Sequence, residues 1–251
     1  MTPRRPALWS AAGLFTFLAL WEGTVRSGLL PAVWVPAPSA VPGALIAELH
    51  DGLWLAAVGN SLTHYTTGVI AGSVLGIGVG TAVALLPRFG AAQAWVARVL
   101  RPIPPLAWIP FALIWFGASE TAAAFIIGIG VFWLNYFAAM AAVRAVDPGL
   151  VELAAAFGQG GFFRRLVKVV LPAASPGIFS GLRAGLGQGW MAVVAAELFG
   201  IPGIGQRMTE AAGLLATDVL VLYMLTIALL YGLTDLVFEM VANRVLAWTR
   251  A

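Results

Sequence analysis

Two stretches of this 251-residue chain, 61–86 and 121–143, run the length of a membrane crossing without one Asp, Glu, Lys or Arg. A bilayer core of about 30 Å takes roughly 20 apolar residues in helical form. Inside hydrocarbon every backbone N–H and C=O must be satisfied within the segment, so each such run is a helix. The rest of the chain follows the same pattern. Charged residues make up 10% of it, against about 25% in a soluble domain. Hydrophobic residues make up 61%, and mean hydropathy is +0.92. The sequence therefore predicts an all-α integral membrane protein.

Six spans are predicted, at about 7–25, 61–86, 103–117, 121–143, 174–199 and 219–242. The third is short. Pro102, Pro104, Pro105 and Pro110 crowd its start, so it enters obliquely or is broken. The amino terminus has the charge pattern of a signal peptide, but its apolar run continues to about Val25 and no A-x-A site follows. An uncleaved first span is expected.

Alternating sides puts Arg4, Arg5, Arg88, Arg98, Arg101, Arg144, Arg164, Arg165, Lys168, Arg244 and Arg250 together. The opposite loops hold only Arg26 and Arg207. The basic side is cytoplasmic by the positive-inside rule, which places both termini in the cytoplasm. The same asymmetry explains the net charge of +3 without invoking nucleic acid.

Chemistry of its own is not expected of this chain. It has no cysteine, its two histidines stand alone, and neither HExxH nor GxxxxGK[ST] occurs. No catalytic, metal or cofactor site is predicted, so any ATP would be hydrolysed by another chain. No internal repeat of the kind common in secondary transporters is visible. An ATP-independent transporter or channel is the rival of another class.

In the outer loop from Ser27 to Asn60, Leu45, Ile46 and Leu49 suggest a short amphipathic helix that Ser39 would cap. It would be a docking platform or an interfacial spacer. Gly72, Gly76 and Gly80, like Gly181, Gly185 and Gly189, form smooth stripes for close helix packing. Arg183 and Asp235 lie within spans, each roughly 10–14 Å from the cytoplasmic surface at 1.5 Å per residue, and are expected to pair. Glu239 would extend the pair, while Glu22 and Glu197, near outer span ends, would reach headgroups or water. Trp115, Asn135, Gln188 and Trp190 are amphipathic or polar groups in apolar spans. They either line a substrate path or pack between helices.

The cytoplasmic segment Val151 to Pro172, VELAAAFGQGGFFRRLVKVVLP, is a polar insert of helix-forming composition. It resembles the EAA loop of ABC-importer permeases, through which a membrane subunit engages its ATPase. Glu152, Ala154, Ala155, Gly158, Val169, Leu171 and Pro172 match the pattern, and Leu153 replaces an alanine. Gly158 stands fourteen residues before Pro172, where the family has thirteen, and the GQGG turn is expected to absorb the extra one. LRPIPPLAWIPFALIWFG (100–117), GLRAGLGQGWMAVVAAELF (181–199), LLATDVLVLYMLTIALLYGLTD and PAPSAVPGAL extend the resemblance to permeases for taurine, other sulfonates and nitrate.

That resemblance implies a MetI-like type I importer fold in the bacterial inner membrane. Residues 1–60 would be an added helix and outer loop, and 61–251 a five-helix core with its coupling loop at 144–173. It implies a homodimer, two cytoplasmic ATPase subunits using ATP and magnesium, and an extracytoplasmic binding protein delivering a small anion. A docking helix would lie within about Leu153 to Phe163, with Ala154, Ala155, Gly158 and Gly161 keeping its profile small. Phe162 and Phe163 would be its knobs or would anchor to the membrane surface.

Overall fold

The computed structural model describes residues 4–31, 33–158 and 161–250, and every regular element in them is helical. Helix α1 spans Arg4–Arg26, α2 Val41–His50, α3 Leu53–Leu85 and α4 Pro87–Leu100. Helix α5 spans Ile109–Phe116, α6 Glu120–Arg144, α7 Pro148–Ala156 and α8 Phe162–Arg165. Helix α9 spans Leu171–Glu197, α10 Ile204–Gly213 and α11 Thr217–Val245.

Four helical segments are long and apolar enough to cross a membrane: α3, α6, the continuous run Phe162–Glu197, and α11. Helix α4 and the segment Pro105–Phe116 meet at 92° and add a fifth crossing if the bent pair counts as one span. Prolines 102, 104 and 105 remove three N–H donors at that bend, which resolves the third span as interrupted. Helix α1, 23 residues long, matches the first predicted span. Six is thus an approximate count. Helix α3 begins at Leu53 and takes in residues assigned to the outer loop, and the fifth span extends back to Phe162. Asn60 interrupts an otherwise apolar run at the start of α3.

The chain forms two compact units, Met1–Asn60 with Pro202–Ala228, and Ser61–Ile201 with Leu229–Ala251. In the first, Ser39 does not cap α2, whose N-cap is Ala40 without a side-chain bond. Its hydroxyl donates to Glu22 Oε1 at 2.7 Å and its N–H to Oε2 at 3.0 Å, while Arg26 pairs with the same carboxylate. Glu22 is therefore held by protein groups and does not simply reach water. Helix α2 also turns the unexpected way, burying Ala44 and Glu48 and exposing Ile46 and Leu49. The reason is polar. Glu48 accepts from Arg207 at 2.7 Å and from the Tyr223 hydroxyl at 2.6 Å. Partial burial works against charge on Arg207, but bonds to Glu48, Tyr223 and Glu210 outweigh it and hold the guanidinium above its ordinary value.

The second unit is built on α6, which packs extensively against α9. Its amino terminus is capped by the Ser119 hydroxyl, which accepts from Ala122 N–H. Gly72, Gly76 and Gly80 face this helix, as do Gly181 and Gly185, while Gly189 faces Tyr65 and Val69 of α3. A Cβ added at Gly72 would sit 2.5 Å from Gly128 O, and one at Gly76 would sit 2.6 Å from Phe132 O, so α3 and α6 touch backbone to backbone. From the other side, Gly177 and Gly181 of α9 fit against Ala142 and Ala138. Small apolar groups fill the rest: Ala112, Ala122, Ala123, Ile126 and Ala196 are fully buried.

Candidate coupling and translocation sites

The segment after α6 is delimited by local chemistry. Asp147 Oδ1 accepts from Gly149 N–H at 2.8 Å, and Pro148 occupies the first helical position, where a missing N–H costs nothing. At the other end Gly158 adopts φ +76° and its N–H bonds Ala155 O at 3.1 Å, which closes α7. The helix of this segment therefore lies at 148–156, where a docking helix was expected within 153–163, and Phe162 and Phe163 open a second helix. The Asp-Pro start signal was present in the sequence and outweighs the alanine run that drew attention to Leu153.

Glu152, Leu153 and Ala155 are exposed on α7, and Ala154 is partly covered. Leu150, Leu153, Phe157, Phe162 and Phe163 present a cluster of exposed apolar groups, with Phe157 and Phe163 about three-quarters accessible. Beneath them a cleft of about 470 Å³ is walled by Val143, Val146, Val151, Leu166 and Val170 and edged by Glu152 and Arg165. Gly161 is exposed immediately before α8. Half of the GQGG turn, Gln159 and Gly160, lies outside the described residues. A π-turn over Leu166–Val170 lies between Gly158 and Pro172, and such a turn holds one residue more than an α-turn. It gives the extra residue a place within a continuous helix, because Pro172 stands in the first turn of α9.

The four path candidates separate cleanly. Asn135 is buried at the junction of three helices, donating from Nδ2 to Ser73 Oγ at 3.0 Å. Its Oδ1 has no partner among the described residues. Gly185 makes room for it, since a Cβ there would lie 3.0 Å from Asn135 Nδ2. Trp190 is also buried, stacked on Tyr65 with centroids 4.4 Å apart and donating from Nε1 to Thr234 at 3.1 Å. Both are interhelical packing groups. Gln188 instead reaches a cavity of about 250 Å³ at the α4–α5 break, beside Arg101, Pro105 and Trp133. Trp115 is half exposed and packs on Phe111, Phe116 and Phe125.

Arg183 and Asp235 come together in bidentate geometry, Nε to Oδ1 and Nη2 to Oδ2 both 2.8 Å. Glu239 stands 3.7 Å from the same guanidinium. About half of the Arg183 side chain remains accessible, so this pair is not sealed in a core.

A second buried polar cluster escaped the sequence. Glu197, expected near headgroups, is fully buried, accepting from Ser61 Oγ at 2.8 and 2.9 Å. His64 Nδ1 lies 2.8 Å from Glu197 Oε1, so the Nδ1–H form of the imidazole donates there. The i, i+3 spacing of Ser61 and His64 on one face of α3 was the available signal. Removing one member of a buried pair leaves the other poorly solvated. His64→Ala is therefore expected to cost ~3 kcal/mol, read as a lower Tm of the purified protein. Glu197→Gln, which keeps an acceptor, should cost about half as much.

Comparison with known proteins agrees with this architecture. The family described as "Binding-protein-dependent transport system inner membrane component" matches residues 72–250. The taurine transport system permease protein TauC of Escherichia coli K12 is 32% identical over 253 aligned positions, covering 97% of this chain and 90% of that protein. The bicarbonate transport system permease protein CmpB of Synechococcus elongatus is 34% identical, covering 80% and 75%. In fold, the chain is similar to the inward-facing MetNI methionine ABC transporter, with a TM-score of 0.68 at 20% identity over 79% of this chain and 98% of that one. Matched across most of its length by family and relatives alike, this chain belongs to the binding-protein-dependent inner-membrane components, the permease subunits of ABC importers.

Proposed function

We propose that the chain is the membrane subunit of an ATP-driven importer for a small sulfonate, with taurine favoured. The observation that carries this reading is the likeness to the taurine permease along nearly the full chain. The bicarbonate relative supports a second reading, another small oxyanion, and nitrate belongs to the same group. Residues 61–251 act as the transport core and 1–60 as an added helix and loop. Both termini lie in the cytoplasm, two copies form the pathway, and a soluble binding protein delivers the solute outside.

Two cytoplasmic ATPase subunits, using ATP and magnesium, engage α7 and the turn that follows it. Exposed Leu153 and Phe157, backed by Phe162 and Phe163, supply the apolar contact, and Gly158 sets the exit angle. ATP binding favours one conformation of the ATPase pair, and the docked helices carry that preference into the spans. Gln188 beside the α4–α5 break lines the route, Trp115 stands at its rim, and Asn135 and Trp190 hold the helices around it.

The test is uptake into proteoliposomes holding this permease, its ATPase and its binding protein. Taurine should accumulate only with ATP, and methanesulfonate should compete. Accumulation without ATP would overturn the reading.

A further inference from the structure

Within the second unit, two adjoining cavities share Arg101 and Phe137. The larger, about 340 Å³, is walled by the second half of α4, the end of α3 and the last turns of α6. Arg98, Arg101 and Arg144 line it, and no carboxylate does. Among the described residues none of the three is ion-paired. Two are instead held by rings: Arg98 lies 4.8 Å over Trp95 and Arg101 4.4 Å over Phe137. Such contacts orient a guanidinium without neutralising it.

The floor is polar as well. The buried Tyr136 hydroxyl accepts from Gln93 Nε2, which leaves its own O–H to donate into the cavity. Three uncompensated guanidinium groups and a phenol O–H give the lining many more donors than acceptors. Its complement is a tetrahedral oxyanion, bound by charge-assisted hydrogen bonds.

The surroundings say which oxyanion. On α4 itself Trp95, Val96 and Val99 are exposed beside Arg98, the composition of a helix lying at a membrane interface. This segment is on the cytoplasmic side in the orientation proposed above, and the inference rests on that reading. Anionic phospholipids concentrate in that leaflet and attract basic segments.

We propose that Arg98, Arg101 and Arg144 bind the headgroup phosphate of an anionic phospholipid, whose acyl chains lie against the exposed Trp95, Val96 and Val99 of α4. Lipid occupancy would then brace the α4–α5 break against α6, where the chain is least regular.

The probe is dioleoyl phosphatidylglycerol, titrated into the full-length permease in neutral detergent and counted by native mass spectrometry. Retention at least tenfold stronger than for dioleoyl phosphatidylcholine is expected. The triple variant Arg98→Gln, Arg101→Gln, Arg144→Gln should lose that preference at least tenfold. Arg88→Gln, Arg164→Gln, Arg244→Gln, which removes the same charge elsewhere, should keep it. Should the first triple variant fail to fold, Arg101→Gln alone is expected to weaken retention at least threefold. Equal retention of the two lipids, or equal loss in both triple variants, overturns the proposal. Displacement of phosphatidylglycerol by millimolar methanesulfonate would assign the site to the small anion and overturn it too. No ATPase or binding protein is present, so failure here leaves the transport reading standing.

Discussion

Replacing Gly76 by leucine is expected to remove most folded permease from the membrane, while leucine at Gly78 is tolerated. Both residues lie on α3, and both changes raise helix propensity equally. Only the first meets an obstacle. A Cβ at Gly76 would lie 2.6 Å from the Phe132 carbonyl and 3.0 Å from Asn135 Cβ, whereas one at Gly78 has nothing within 4 Å. A backbone carbonyl inside α6 cannot rotate away, so α3 must move out. That separation also pulls Ser73 from Asn135, leaving a buried amide without its acceptor. Overpacking costs about 1–3 kcal/mol, and this site lies at the upper end. For a chain of this length that is roughly a 6–12 °C fall in Tm. Fluorescence-detected size exclusion after heating measures it, with Gly78→Leu as the matched control.

The second large effect concerns α7. Leu153→Asp or Phe157→Asp should leave insertion and Tm near wild type, because both side chains are exposed and support no core. ATP-driven uptake should nevertheless fall at least tenfold, since an apolar anchor at a protein interface is commonly worth about 2 kcal/mol or more. Gly158→Val should act through the backbone alone. No atom lies within 4 Å of an added Cβ, but φ +76° is closed to a β-branched residue at a cost of ~1–2 kcal/mol. The helix would then run past Ala156 and swing Phe162 and Phe163 away. Gly158→Asn, which tolerates that region, should retain more uptake than Gly158→Val.

Much of this architecture is visible in the residues themselves, because hydrocarbon leaves the backbone few choices. The uncharged runs of α3 and α6 could only be helices, and the prolines at 102–105 marked the break in the third crossing. Positions set by distant partners were not visible. Glu197 looked like a headgroup contact because its partners, Ser61 and His64, come from more than 130 positions earlier. Ser39 was expected to cap α2, yet a carboxylate seventeen residues back claims its hydroxyl. Helix α2 buries Glu48 in preference to Ile46 because Arg207 and Tyr223 offer two donors, one charged and one phenolic, that no local pattern reveals. The bounds of α7 belong to a different class. Asp147, Pro148 and Gly158 stated them plainly, and the resemblance to a known loop shifted attention downstream.

The central claim is that α7 meets the ATPase. The chain contains no cysteine, so a single introduced thiol reports position without background. Leu153→Cys, reconstituted with the ATPase subunit and treated with a short thiol-reactive cross-linker, is expected to yield a permease–ATPase adduct whose amount changes on adding ATP. Leu214→Cys, more exposed still but placed on the opposite membrane face by the charge asymmetry, should yield none. An adduct at Leu214→Cys and none at Leu153→Cys would contradict the account.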